Sequence, residues 1–159
     1  MKNKSLFVIV LICISCTKEK MITGKNGMVV STSAQASQVG IEILKQGGNA
    51  VDAAAAVGFT LAVTSSSNGN LGGGGFMVSR MANGKTFTLD YREMAPKSAY
   101  KDLFLDSSKN IIEGKSTGTH YASGVPGSVD GLLRAWGDHG SGKISIKQLL
   151  EPAIDYAKN

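Results

Sequence analysis

Few residues in this chain have types and spacings that do chemistry, and most of those fail on context. Gly72-Gly73-Gly74-Gly75 suggests a phosphate cradle. A dinucleotide fingerprint, however, follows a strand and opens a helix, so that amides and helix dipole face the anion. Here the glycines follow a loop and open a strand. They fit close backbone packing and backbone approach to a ligand equally well. Gly137 to Lys143 matches GxxxxGK, but Ile144 stands where a magnesium-binding hydroxyl is needed, and a helix precedes it. Ser98-Ala-Tyr-Lys101 matches SxxK without companion motifs, so serine catalysis is not supported. His120 and His139, the only histidines, lack metal-ligand spacing and read as turn or helix-end residues. A self-cleavage site at Gly118-Thr119 would leave residues 119–159, too few to build the layers that position a threonine nucleophile. What remains is Arg92, alone beside Asp90 and Glu93 in LDYREMAP.

Local elements must position that arginine. Phe76 to Met81 and Lys85 to Arg92 read as strands joined by Asn83-Gly84, a turn pair that tolerates positive φ. Alternation in the second strand puts Phe87, Leu89 and Tyr91 on one face and Thr88, Asp90 and Arg92 on the other. Arg92 therefore sits on the polar face at a strand end, before Pro96 stops the ladder. Upstream, Met28 to Ser31 is a short β-like run. Ala36, Val39, Ile43 and Leu44 then make one helical stripe, with Ser33 as cap and Gly47-Gly48 as stop. Asn49 and Asp52 predict a capping box opening a helix from Ala50 to Val63. That helix is apolar nearly all round and 14 residues long, which makes it a buried core helix and too short to cross a membrane. Downstream, Ser98 to Leu105 reads as a short helix followed by an Asp-Ser-Ser turn. SGVPGSVDG is turn-rich and leads into a helix from Val129 to Trp136. Ile146, Leu149, Leu150, Ala153, Ile154 and Ala157 keep helical spacing near the end.

The chain has 159 residues, room for one domain at most. With 42% hydrophobic and 18% charged residues it is ordinary globular material. Lys2 and Lys4, the apolar run Leu6 to Ile14 and Ser15-Cys16 have the layout of a secretory signal. A small residue before a cysteine, with polar TKEK after it, resembles a bacterial lipoprotein processing site. The expected division is therefore a signal at 1–15, a linker at 16–26 and a domain at 27–159, with Cys16 lipidated. The expected location is the bacterial envelope, periplasm-facing or on the outer membrane, with simple secretion or an uncleaved N-terminal anchor as the alternatives to the lipid. No cysteine remains beyond Cys16 for a disulfide or a catalytic thiol. Removing 1–15 lowers the net charge from +5 to +3, with lysines scattered singly, which excludes a nucleic-acid surface.

The runs GMVVSTSAQASQVGIEILKQGGNAVDAAAAVGFTLAV, NLGGGGFMV, LDYREMAP and ASGVPGSVDG, in this order, resemble the γ-glutamyltranspeptidase (glutathione hydrolase) family from Gly27 to Asn159. The resemblance implies the αββα sandwich of N-terminal-nucleophile hydrolases, only part of it in this chain. It also implies a precursor that cuts itself into large and small subunits, and a threonine that attacks the γ-glutamyl amide of glutathione. Arg92 aligns with the family arginine that binds the α-carboxylate of the γ-glutamyl group, a role suited to a planar guanidinium. No metal or cofactor is implied. The likeness is to the N-terminal part of the large subunit. The threonine, the acidic residue for the substrate amino group and the glycine pair of the oxyanion hole have no counterpart here, so no catalytic residue is expected in this chain. Ser65-Ser66-Ser67-Asn68 replaces a proline-containing stretch expected before the glycine loop. The other function class left open is a non-catalytic envelope lipoprotein that retains a glutamate-binding face.

Overall fold

The computed structural model describes residues 21–159. Four helices and one hairpin follow in the order α1 (Ala34–Lys45), α2 (Ala50–Thr64), β1 (Phe76–Arg80), β2 (Thr86–Asp90), a 3-10 turn (His120–Ala122), α3 (Ser128–His139) and α4 (Ile146–Lys158). No helix among the described residues is long and apolar enough to cross a membrane.

Sequence-local chemistry sets the helix ends. Ser33 Oγ accepts from the Ala36 amide at 3.2 Å and starts α1. At the other end Gly47, at φ +89°, lets its amide reach Leu44 O and the Gly48 amide reach Ile43 O, both at 3.0 Å. These are the paired bonds of a Schellman stop, and an L side chain at Gly47 would be strained. The capping box expected for α2 is present. Asn49 Oδ1 accepts from the Val51 and Asp52 amides, and Asp52 Oδ2 accepts from the Asn49 amide at 2.7 Å. Asp52 is also a long-range tie. Its Oδ2 accepts from the Ser141 amide at 3.0 Å, while Asn49 Nδ2 donates to His139 O at 2.9 Å. These bonds seat the end of α3 on the start of α2.

The core is helical. α2 packs against α1, α4 and α3, and Ala53, Ala55, Ala56 and Phe59 on it meet Val39, Ile43, Leu132 and Leu149. The alanines allow that approach on several sides, which is why an apolar helix of low amphipathicity is the central one. At Gly58 a Cβ would lie 2.8 Å from Leu132 Cδ1, so a side chain there would have to displace the Leu132 tip where α2 and α3 meet. α4 uses only part of its apolar stripe. Leu149 and Ala153 are buried, while Ile146 and Ile154 are exposed.

β1 and β2 pair antiparallel with Phe76 opposite Asp90 and Arg80 opposite Thr86. The inward set is Met77, Ser79, Phe87 and Leu89, and the Phe87 ring stacks on His139 at 3.8 Å between centroids. Phe76 and Val78 face outward, 64% and 82% exposed.

Two expectations fail. Met28 to Ser31 is not a strand, because the sheet among the described residues has two strands and this run lies beside neither in a ladder. A β-prone run without a partner has no bonds to hold it as a strand. Ser98 to Leu105 is not a helix but a series of turns, with Ala99 donating to Pro96 O, Leu103 to Tyr100 O and Leu105 to Asp102 O. Leu105 bridges to Ile111 instead, which draws the chain away from helical bonding. The Asp-Ser-Ser turn is present, with Asp106 Oδ1 accepting from the Ser108 and Asn110 amides.

Candidate functional site

Arg92 lies two residues past the end of β2 and is exposed, on the outward face that Asp90 and Thr88 share with Phe76 and Val78. Its surroundings explain the glycine run. A Cβ at Gly74 would lie 2.5 Å from Tyr91 O and 2.6 Å from the Glu93 nitrogen, so only glycine lets the loop run against this backbone. The Gly75 and Tyr91 main chains exchange hydrogen bonds at 3.3 and 3.0 Å, extending the ladder beyond β1 and β2. Gly73 O accepts from the amides of Gly127 and Ser128 at 2.9 and 3.0 Å and so occupies two free donors at the start of α3. Of the two readings open for the glycines, the packing one accounts for Gly74 and Gly75.

Tyr91 is the peg of this arrangement. Its ring lies over Gly75, and a Cβ at Gly131 would fall well inside contact distance of the Tyr91 Cβ and Cγ. Burial pushes its phenol above the usual tyrosine range. With the Tyr91 side chain held inward, alternation turns the next side chain outward. Asp90 does not pair with the guanidinium. Its Oδ1 accepts from the Arg92 main-chain amide at 3.0 Å and fixes the backbone. Among the described residues no ion pair includes Arg92. Behind it, Asn70, Gly73, Gly74, Tyr91, Glu93 and Ser128 border a cavity of about 200 Å³.

The other sequence candidates are dispersed. His120 stands in the 3-10 turn and His139 ends α3. Thr119 caps that turn, its Oγ1 accepting from the Tyr121 amide at 3.3 Å. Gly137 to Lys143 spans the end of α3 and the following loop, not a strand-to-helix cradle. Cys16 lies outside the described residues. Sequence reasoning missed Gly131. A glycine inside α3 costs about 1 kcal/mol of helix propensity and so needs a packing reason, which was the available signal.

The described residues thus form a helical layer against a two-stranded hairpin, with Arg92 exposed just beyond the second strand. The family model for gamma-glutamyltranspeptidase matches residues 36–159. The chain is 49% identical over 138 residues to the glutathione hydrolase proenzyme of Escherichia coli K12, covering 87% of this chain and 23% of that protein. It is 43% identical over 159 residues to the glutathione hydrolase proenzyme of Pseudomonas sp. A14, covering 98% of this chain and 27% of that one. The crystal structure of Helicobacter pylori gamma-glutamyltranspeptidase superposes with a TM-score of 0.81 at 42% identity, over 87% of this chain and 39% of that chain. This chain belongs to the γ-glutamyltranspeptidase family. Its fold is part of that family's αββα N-terminal-nucleophile hydrolase sandwich. It spans about a quarter of the length of the curated relatives.

Proposed function

We propose that this chain is the N-terminal part of the large subunit of a γ-glutamyl hydrolase/transferase that acts on glutathione and related γ-glutamyl compounds. The observation that carries the reading is Arg92, exposed, its guanidinium in no ion pair among the described residues, and held just beyond β2 by glycine–tyrosine packing. A guanidinium so placed suits the two oxygens of an α-carboxylate. In the processed enzyme, a threonine at the start of the small subunit from the same precursor attacks the γ-carbonyl, with its own α-amine as base. Backbone amides stabilise the oxyanion, the peptide amine leaves, and water or an amino acid releases the acyl group. This chain supplies recognition and not the nucleophile.

Residues 1–15 act as signal and 16–26 as linker to the domain at 27–159, with Cys16 the acylated anchor in the envelope. Labelled fatty acid should enter the parent and not Cys16→Ala, and equal labelling of both would leave plain secretion. The alternative, a non-catalytic envelope lipoprotein with a glutamate-binding face, is favoured by no observation of its own. The deciding experiment is expression of the full-length precursor with a γ-glutamyl anilide as substrate. Two subunits and chromophore release are expected. An intact, inert chain would overturn the enzyme reading.

A further inference from the structure

The hairpin strands bury no side chain completely, so the direction of β2 depends on a few contacts with the helices. Two of these contacts lie between the inward face of β2 and α3. Tyr91, just past the strand, rests on Gly131, and the Phe87 ring stacks on His139 with 3.8 Å between centroids and 17° between planes. The spacing of the two contacts is matched on both elements. Phe87 and Tyr91 are four residues apart, about 13 Å of extended chain. Gly131 and His139 are eight residues apart, about 12 Å of helix. α3 therefore runs antiparallel to β2 and meets it at both ends of the same span. One contact would leave the strand free to pivot about it. Two fix its line, and with it the place of the next residue along, Arg92.

His139 is itself held from the other side. Its carbonyl accepts from Asn49 Nδ2 at 2.9 Å, and two residues on the Ser141 amide donates to Asp52 Oδ2 at 3.0 Å. Between them Gly140 lies so near Asp52 that a Cβ there would stand 2.6 Å from Oδ1. Asp52 is fully buried, and its Oδ1 has no hydrogen-bond partner. Burying a carboxylate oxygen without a donor is costly, and the turn secured in this way is the one that aims the His139 ring. No ion pair among the described residues includes His139, and the contact that links it to the hairpin is the stack on Phe87.

We propose that His139 is a positioning residue for Arg92. Its ring, fastened to the end of α3 by Asn49 and Asp52, holds Phe87 and so fixes the direction in which β2 delivers the guanidinium. The proposal rests on the reading of Arg92 as the residue that takes the substrate's α-carboxylate. The stack requires a flat ring and not a charge, so an aromatic substitute serves and an aliphatic one does not.

The test uses the full-length precursor and the ratio of kcat/KM for a γ-glutamyl anilide to that for its analogue lacking the α-carboxylate. An aromatic pair contributes roughly two- to tenfold to an equilibrium, so His139→Ala should lower that ratio by about this much. The change should lie in KM for the carboxylate-bearing substrate, with kcat and self-cleavage parental. His139→Phe should keep the parental ratio, and adding His139→Ala to Arg92→Ala should lower it no further. A parental ratio in processed His139→Ala, or the same fall in the Arg92→Ala background, would overturn the proposal. So would a fall that persists in His139→Phe. A merely structural role would lower the unfolding midpoint and leave the ratio alone. His139→Leu, which keeps bulk and loses the stack, stands in if the alanine variant does not fold. Amide exchange read by mass spectrometry needs neither turnover nor self-cleavage. Residues 86–94 should exchange faster in His139→Ala and at the parental rate in His139→Phe, with α1 and α4 unchanged. A parent that does not discriminate between the two substrates refutes the reading of Arg92, and the exchange still decides whether His139 holds that end of the hairpin. Equal exchange in the parent and His139→Ala would show that it does not.

Discussion

The helical half and the hairpin half of this chain are built by different means. Of the fifteen buried hydrophobic side chains among the described residues, all but Leu103, from the chain's middle, and Ile144, from the loop before α4, lie on α1, α2, α3 and α4. From Leu61 to Gly127, Leu103 is the single buried residue. That long stretch is shaped by main-chain bonds, turns and glycine contacts instead of a core, and Arg92, which enters no ion pair among the described residues, lies in it. On the proposed reading of Arg92, stability and recognition are therefore separable here. They meet where Tyr91 rests on Gly131 of α3.

The largest effect should come from breaking the helical half. Leu149 is fully buried against α2, and Leu149→Ala removes its contacts and leaves a cavity. A loss of about 2–5 kcal/mol is expected, read from the urea midpoint of the full-length protein. Affinity of the surviving folded fraction for a γ-glutamyl ligand should stay unchanged. A parallel loss of affinity would mean that the two halves are not separable.

Gly131→Ala tests the seam, and two effects oppose one another. Alanine should gain about 1 kcal/mol of helix propensity over glycine. Its Cβ, however, would intrude on the stem of Tyr91, which is ring and backbone-linked carbon rather than a flexible tip. Overpacking of this kind costs about 1–3 kcal/mol, so the steric effect wins. The variant should lose modest stability and also weaken γ-glutamyl binding, because Tyr91 carries Arg92 with it. A more stable variant with parental binding would show that the seam has slack.

The smallest effect lies far out on the hairpin half. The Asn110 amide, with the Asn110 side chain and the Ser108 amide, holds the Asp106 carboxyl below the usual aspartate range. The group is depressed in the folded state, so its contribution is complete above the ordinary aspartate pKa and is lost as pH falls through the lower folded value. The Ser108 and Asn110 amide resonances should titrate together at acid pH. A midpoint at or above the ordinary value would show that the turn does not depend on the carboxylate.

Much of this division was legible in the sequence, and the reason is locality. Ser33, Gly47, Asn49 and Asp52 declare helix ends within four residues of themselves, and Asn83-Gly84 declares the hairpin. The alternation in β2 placed Arg92 on the exposed face, as observed. The failures depend on distant partners. Met28 to Ser31 has strand composition but no neighbouring strand among the described residues, and Ser98 to Leu105 has helical composition but is drawn into turns by the Leu105–Ile111 bridge. Gly131 and Gly127 looked like turn chemistry, yet their contacts are with Tyr91, about forty residues earlier.

The central claim is that Arg92 reads a carboxylate from a scaffold that does not need it for folding. The measurement is the ratio of kcat/KM for a γ-glutamyl anilide to that for its analogue lacking the α-carboxylate, in the parent and in Arg92→Ala. A charge-assisted contact contributes about 1.5–3 kcal/mol, so that ratio should fall roughly 10- to 150-fold while self-cleavage and unfolding stay parental. Arg92→Lys should recover part of it, since the charge remains and the fork is lost. A normally processed Arg92→Ala with an unchanged ratio would contradict the account and leave Arg92 a surface charge.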